Sequence, residues 1–186
     1  MPVLKSYYQA LYGCPVVELS GYTARCGLSG RILAYLDFGG ATGSAKDGLA
    51  EGMLALAAQR GRLAPGQPVV EAGGGTFSAA LCIAARRSGH PVLLAVPPTL
   101  EGERQKFLQR LGAKLVFSMD ALQGRKKLWA LARQTAEEQG GYYLDHFNND
   151  DNPEYHRRVT GPAILKATGG GEEIDAIVAG VGSGGT

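Results

Sequence analysis

The sequence predicts an α/β fold built on a parallel sheet. Three observations predict it. Short strand-like runs alternate with helix-length periodic segments, the runs are apolar on consecutive residues, and glycines stand where a run passes into a helix. The runs at residues 69–72, 91–96 and 114–117 show the pattern best. The 186-residue chain is 45% hydrophobic and 19% charged, an ordinary globular composition with enough apolar mass for one large or two small cores.

Taken in order, Ser6, Tyr7, Tyr8, Gln9, Ala10 and Leu11 suggest a short helix or an extended arm. Residues 15–19 and 31–36 are then expected as strands separated by a glycine-bearing turn region. Residues 38–47 hold three glycines before Lys46 and Asp47. From there Leu49, Met53, Leu56 and Ala57 make one apolar helix face, with Gly61 as its stop. A strand at residues 67–72 leads through Gly73, Gly74 and Gly75 into an apolar helix at 79–87, and Cys82 is expected in the core.

Two further strand and helix units follow. A helix over 101–111 carries Phe107, Leu108 and Leu111 on one face and ends at Gly112. A later helix carries Leu128, Leu131, Ala132 and Thr135 as a core stripe, with Arg125, Lys126 and Lys127 as a solvated run. Residues 142–147 are expected as a strand ending near His146, and the polar run 148–152 as a boundary. Asn152 then caps a helix with Pro153 at its first position, and Gly161 and Pro162 kink or restart it. Residues 174–179 are expected as a buried central strand leading into Gly180, Val181, Gly182, Ser183, Gly184, Gly185 and Thr186.

Charge and cysteine usage exclude several classes. Nineteen basic and 17 acidic residues leave a net charge of +2, and no basic track suited to nucleic acid gathers anywhere. There is no apolar run long enough to span a membrane. Cys14, Cys26 and Cys82 are odd in number and widely spaced, and His90, His146 and His156 are scattered, which argues against a disulfide framework or a metal site.

Two stretches carry chemistry. Lys46 stands where a glycine loop becomes a helix, beside unpaired N–H groups that attract anions, and an amine so placed is a candidate to carry an aldehyde cofactor. The stretch is not a nucleotide P-loop, because Ala45 precedes the lysine and Asp47 follows it. The successive N–H groups and two hydroxyls of residues 182–186 would cradle a phosphate. Residues 73–78 offer a further anion pocket at a helix start, although Ser78 replaces the last glycine of the dinucleotide fingerprint and no acidic residue ends the next strand.

The run Gly43, Ser44, Ala45, Lys46, Asp47 resembles the lysine loop of the cysteine synthase and cystathionine β-synthase family, the fold-type II pyridoxal phosphate enzymes. The resemblance extends over residues 15–19, 71–78, Asn152-Pro153-Glu154, Thr160-Gly161-Pro162 and 180–186. It implies a two-domain parallel-sheet architecture, with residues 1–43 opening a large domain, 44–151 forming a small domain and 152–186 returning to the large one. The C-terminal part of that large domain would then be missing from this chain. It further implies pyridoxal 5'-phosphate as cofactor, with Lys46 catalytic and holding its aldehyde. Gly182, Ser183, Gly184, Gly185 and Thr186 would hold its phosphate, and Gly75 and Thr76 would face the substrate carboxylate. The implied reaction is β-replacement or β-elimination on an O-activated serine or similar amino acid, in cysteine or related amino-acid biosynthesis. A cytoplasmic enzyme, homodimeric at full length, is the matching expectation. Several positions depart from the family: Gly13-Cys14 stand for an Asn-Thr pair, only Gly75 of the 73–78 loop matches cleanly, with Thr76 in place of an asparagine, and His146 aligns with a glutamine near the active site. A non-catalytic relative serving as a binding module, and a nucleotide-binding α/β domain, are the competing readings.

Overall fold

The structure is a computed structural model that describes residues 14–172 and 174–186. The expected N-terminal arm around Ser6 to Leu11, and Gly13, lie outside the described residues. Strand β1 (Val16–Glu18) pairs antiparallel with β2 (Leu33–Tyr35), placing Val16 opposite Tyr35 and Glu18 opposite Leu33. Between them the expected turn region contains a short helix, α1 (Ser20–Arg25), whose end is marked by Gly27 at φ 63°.

Helix α2 (Lys46–Gln59) begins on Lys46 itself. Leu49, Met53, Leu56 and Ala57 are all buried, and Gly61 at φ 69° turns the chain away, as the sequence predicts. A four-stranded parallel sheet follows, made of β3 (Val69–Ala72), β4 (Val92–Val96), β5 (Ala113–Phe117) and β6 (Tyr142–Tyr143) in the order β5-β4-β3-β6. Helices α3 (Thr76–Arg87), α4 (Gly102–Arg110) and α5 (Arg125–Gln139) connect the strands, and a 3-10 turn (Met119–Gln123) precedes α5.

Both central strands are buried along their whole length because helices cover both faces of the sheet. Side chains alternate between the faces. Val69, Val92, Leu94 and Val96 join the core under α2 and α3, which also holds Leu49, Met53, Leu81 and Cys82. Val70, Ala72, Leu93 and Ala95 face Ala132 and Ala136 of α5. The Leu128, Leu131, Ala132 and Thr135 stripe therefore packs as expected, and Arg125, Lys126 and Lys127 remain exposed. Phe107 departs from its expected place. Leu108 is fully buried, but its neighbour lies about 100° further round the helix and stays exposed beneath the Arg104 guanidinium.

Two expectations near the C-terminal end need correction. The strand expected over 142–147 stops at Tyr143, because Asp145 adopts a left-handed φ of 50° and turns the backbone. Asn152 is not a cap. Helix α6 (Asp151–Tyr155) starts one residue before it, so Pro153 is the third helical residue, and the Asn152 side chain is used elsewhere. The restart at Gly161 takes the form of a π-helical turn (His156–Thr160) running into α7 (Gly161–Ala167), and Gly169, Gly170 and Gly171 end it with positive φ.

The largest departure concerns residues 174–179, which form no strand. Ile177 is 75% exposed and Val178 97%. An apolar run is a strand only where neighbouring strands satisfy its N–H and C=O groups, and no strand among the described residues lies beside this one.

Candidate functional site

The loop before α2 is folded around one carboxylate. Asp47 accepts hydrogen bonds from Thr42 N (3.3 and 3.1 Å to its two oxygens), from Thr42 Oγ1 (2.8 Å) and from Ser44 N (3.5 Å). Gly40 closes against it so tightly that an added Cβ would lie 2.1 Å from Asp47 Oδ2. Ser44 Oγ accepts from Lys46 N at 3.2 Å. The glycines and hydroxyls of residues 40–44 thereby fix where the Lys46 side chain leaves the helix start.

Helix α6 is locked beside this loop. The side chain of Tyr155 lies on the α2 backbone at Gly48 and Gly52, where a Cβ would come within 2.3 Å of its hydroxyl and 2.1 Å of its ring. Burial pushes the Tyr155 hydroxyl up to about 12, with the charges of Asp37 and Cys14 adding to the effect. Asp151, fully buried, is gripped by Arg60 and Arg62 from the end of α2.

His156, the residue after Tyr155, is the hub that sequence reasoning missed. Burial, then the nearby charge of Lys46, hold its imidazole below the ordinary value. Its Nδ1 is 2.9 Å from Thr160 Oγ1, and its Nε2 is 3.3 Å from Thr186 Oγ1. The end of the C-terminal glycine loop thus reaches this imidazole, and the charge of Lys46, 140 positions earlier in the chain, lies near enough to act on it. The signal available in the sequence was weak, since a lone histidine inside a helix has many structural uses.

Asn152 anchors the same loop. Its Nδ2 donates to Ser183 Oγ at 2.9 Å and to His146 O at 2.7 Å, while Gly185 lies so close that a Cβ there would be 1.9 Å from Asn152 Oδ1. Ser183 Oγ, as acceptor in that bond, keeps its own proton for another group. Asn152 Oδ1 is enclosed without a hydrogen bond.

The glycine loop at 73–78 has its own support. Gly73 has φ 109°, open only to glycine, and Ser78 Oγ donates to its carbonyl at 2.7 Å. Arg104 donates through Nε to Gly74 O (2.7 Å) and through Nη2 to Gly75 O (2.8 Å). In a trans peptide the N–H points opposite the preceding C=O, so this grip turns the N–H groups of Gly75 and Thr76 to the far side of the loop, at a helix start with no intrahelical acceptor for them. The ring of Phe77 stacks on His146 (centroids 4.1 Å apart, 18° between planes), and His146 is tied through its carbonyl to Asn152. An apolar groove of about 580 Å³ lined by Gly48, Gly52, Leu54, Tyr155 and Val159 includes neither Lys46 nor either glycine loop. The convergent polar groups, not that groove, define the candidate site.

The profile of the family described as "Pyridoxal-phosphate dependent enzyme" matches residues 8–186. Cysteine synthase of Staphylococcus aureus is 33% identical over 180 residues, covering 96% of this chain and 56% of that protein. Cysteine synthase A of Escherichia coli is 37% identical over 160 residues, covering 85% and 49%. Among solved structures, O-acetyl serine sulfhydrylase isoform 3 from Entamoeba histolytica superposes with a TM-score of 0.83 at 31% identity, covering 99% of this chain and 55% of that one. O-ureido-L-serine synthase gives 0.76 at 29% identity, covering 89% and 51%. The chain spans about half the length of the curated relatives it matches.

Proposed function

The chain belongs to the pyridoxal-phosphate dependent enzyme family, and from that premise we propose that the corner of Lys46, His156 and residues 182–186 is its pyridoxal 5'-phosphate site. The reaction we assign to it is β-replacement or β-elimination on an O-activated serine or similar amino acid. The observation that carries the assignment is the contact of Thr186 with His156, on the helix locked beside the loop that places Lys46 at its helix start.

The residues present fit the cofactor. Residues 182–186 offer backbone N–H groups, with Gly184 at φ 79°, and Ser183 has a hydroxyl proton to donate to a phosphate oxygen. Gly182, Gly184, Gly185 and Thr186 complete the same cup. Lys46 Nζ is the amine that would hold the aldehyde, and the same amine would take the proton from the substrate Cα. The bound cofactor supplies the electron sink for that deprotonation. Gly75 and Thr76, with their N–H groups turned away from Arg104, receive the substrate carboxylate. Thr76 in the asparagine's place alters the reach of that loop.

We also assign residues 1–43 and 152–186 to a large domain and 44–151 to a small one. The parallel sheet falls within the small domain, and the β1–β2 pair, with residues 174–186, belongs to the large one.

Borohydride reduction of the 186-residue chain after incubation with pyridoxal 5'-phosphate tests the assignment. The expected product is a reduced pyridoxyl adduct on Lys46, located by peptide mass mapping. An adduct confined to another lysine, or none, overturns it.

A further inference from the structure

Beneath the loop at 73–78 lies a buried acid that the proposed reaction does not use. Glu71, on central strand β3, is 1% exposed. Its Oε1 accepts from Ala72 N at 2.7 Å, and its Oε2 accepts from His146 N at 3.1 Å. The same Oε2 lies 3.3 Å from His146 Nδ1. That contact is at ion-pair distance but is not a well-formed hydrogen bond, and Nδ1 is enclosed with no other partner. The opposite ring nitrogen, Nε2, is not enclosed in this way.

We propose that Glu71 is a positioning residue that fixes His146 as its Nδ1–H tautomer, so that Nε2 is presented as a hydrogen-bond acceptor beside the first turn of α3. A bare Nδ1 lone pair facing a carboxylate oxygen at 3.3 Å would be repelled, whereas an N–H there is attracted. The rest of the ring's placement is already determined. The left-handed turn at Asp145 aims the residue, Phe77 stacks on one face, and Asn152 holds the carbonyl. With orientation and proton both set from below, the open nitrogen of the neutral ring has a lone pair and no proton to offer. It therefore suits a group that brings its own proton, such as the ammonium of an amino acid or the S–H of an incoming thiol.

The choice of ligand group rests on the pyridoxal phosphate reading, but the tautomer does not. Because His146 joins Phe77 of one glycine loop to Asn152, which holds Ser183 of the other, Glu71 also fixes the register between the two loops.

The test is nitrogen-15 NMR of the histidine rings in the uniformly labelled chain at mildly alkaline pH, with His146 assigned by its loss in His146→Gln. The expected result is a protonated Nδ1 and an unprotonated Nε2. In Glu71→Met, which keeps the length of the side chain and removes both oxygens, the preference should collapse toward a mixture. A protonated Nε2 in the unmodified chain overturns the proposal, whether or not the variant folds. An unchanged tautomer in a folded Glu71→Met protein also overturns it. Neither readout needs cofactor, so failure of the Lys46 adduct would leave it intact.

Discussion

Gly185 shows how little space a single position leaves. A methyl group there would sit 1.9 Å from Asn152 Oδ1, an atom already enclosed, so the backbone of residues 182–186 must move to accept it. Gly185→Ala is expected to weaken pyridoxal 5'-phosphate binding by about 1–3 kcal/mol, the usual cost of overpacking a closed contact. It should leave the affinity for pyridoxal, which lacks the phosphate, nearly unchanged, and paired spectroscopic titrations of the two compounds measure the difference. His156 makes the corner sensitive to acid. Its folded value lies below the ordinary 6.5, so as pH falls past 6.5 the unfolded chain takes up the proton first. Stability from this group is complete above that pH and declines below it, until the folded imidazole also protonates. His156→Asn should flatten that part of the stability profile, as measured by urea denaturation at stepped pH. In the sequence Lys46 was legible as a candidate because a glycine loop and a helix start bracket it, and the structure places it at that helix start. The role of His156 was not, because its meaning comes from Thr186 and Lys46, which approach it only in the folded chain.

Elements were legible where a local pattern and the tertiary environment agree. Helix α2 and strand β4 are examples: one has a single apolar face, the other is apolar throughout, and both meet core. Helix α6 is expected from the sequence, but two residues late, because its start is set by a tertiary contact that no local signal shows. Asp151 makes that contact. Replacing it by Ala removes the buried acid and leaves Arg60 and Arg62, each 39% exposed, free to hydrate. The expected loss of stability is therefore about 2–3 kcal/mol, below that for stranding a wholly buried charge. Equilibrium urea denaturation with an unchanged slope would register it.

Over the whole molecule, the sheet and its two apolar layers follow from the sequence, whereas the state of residues 174–179 does not. Their composition describes a central strand, but strand formation is decided by partners, and none is beside them among the described residues. Ile177, Val178 and Val181 instead face solvent, a contiguous apolar run of a kind that soluble monomers seldom display. The 186-residue chain is accordingly expected to self-associate at high concentration, and Ile177→Thr with Val178→Thr should reduce that association in sedimentation velocity without lowering the melting temperature. The pairs from Arg60 and Arg62 to Asp151 carry a different consequence, in time rather than in energy. They join residues 91 and 89 positions apart, a closure that costs about 4 kcal/mol of chain entropy if made first. Once the intervening strands and helices have assembled, most of that cost is gone, so α6 docks after the rate-limiting barrier. Asp151→Ala should then accelerate unfolding in stopped-flow experiments and leave the refolding rate almost untouched. The corner that brings Thr186 to His156 is by this account the last part of the chain to arrive and the first to leave.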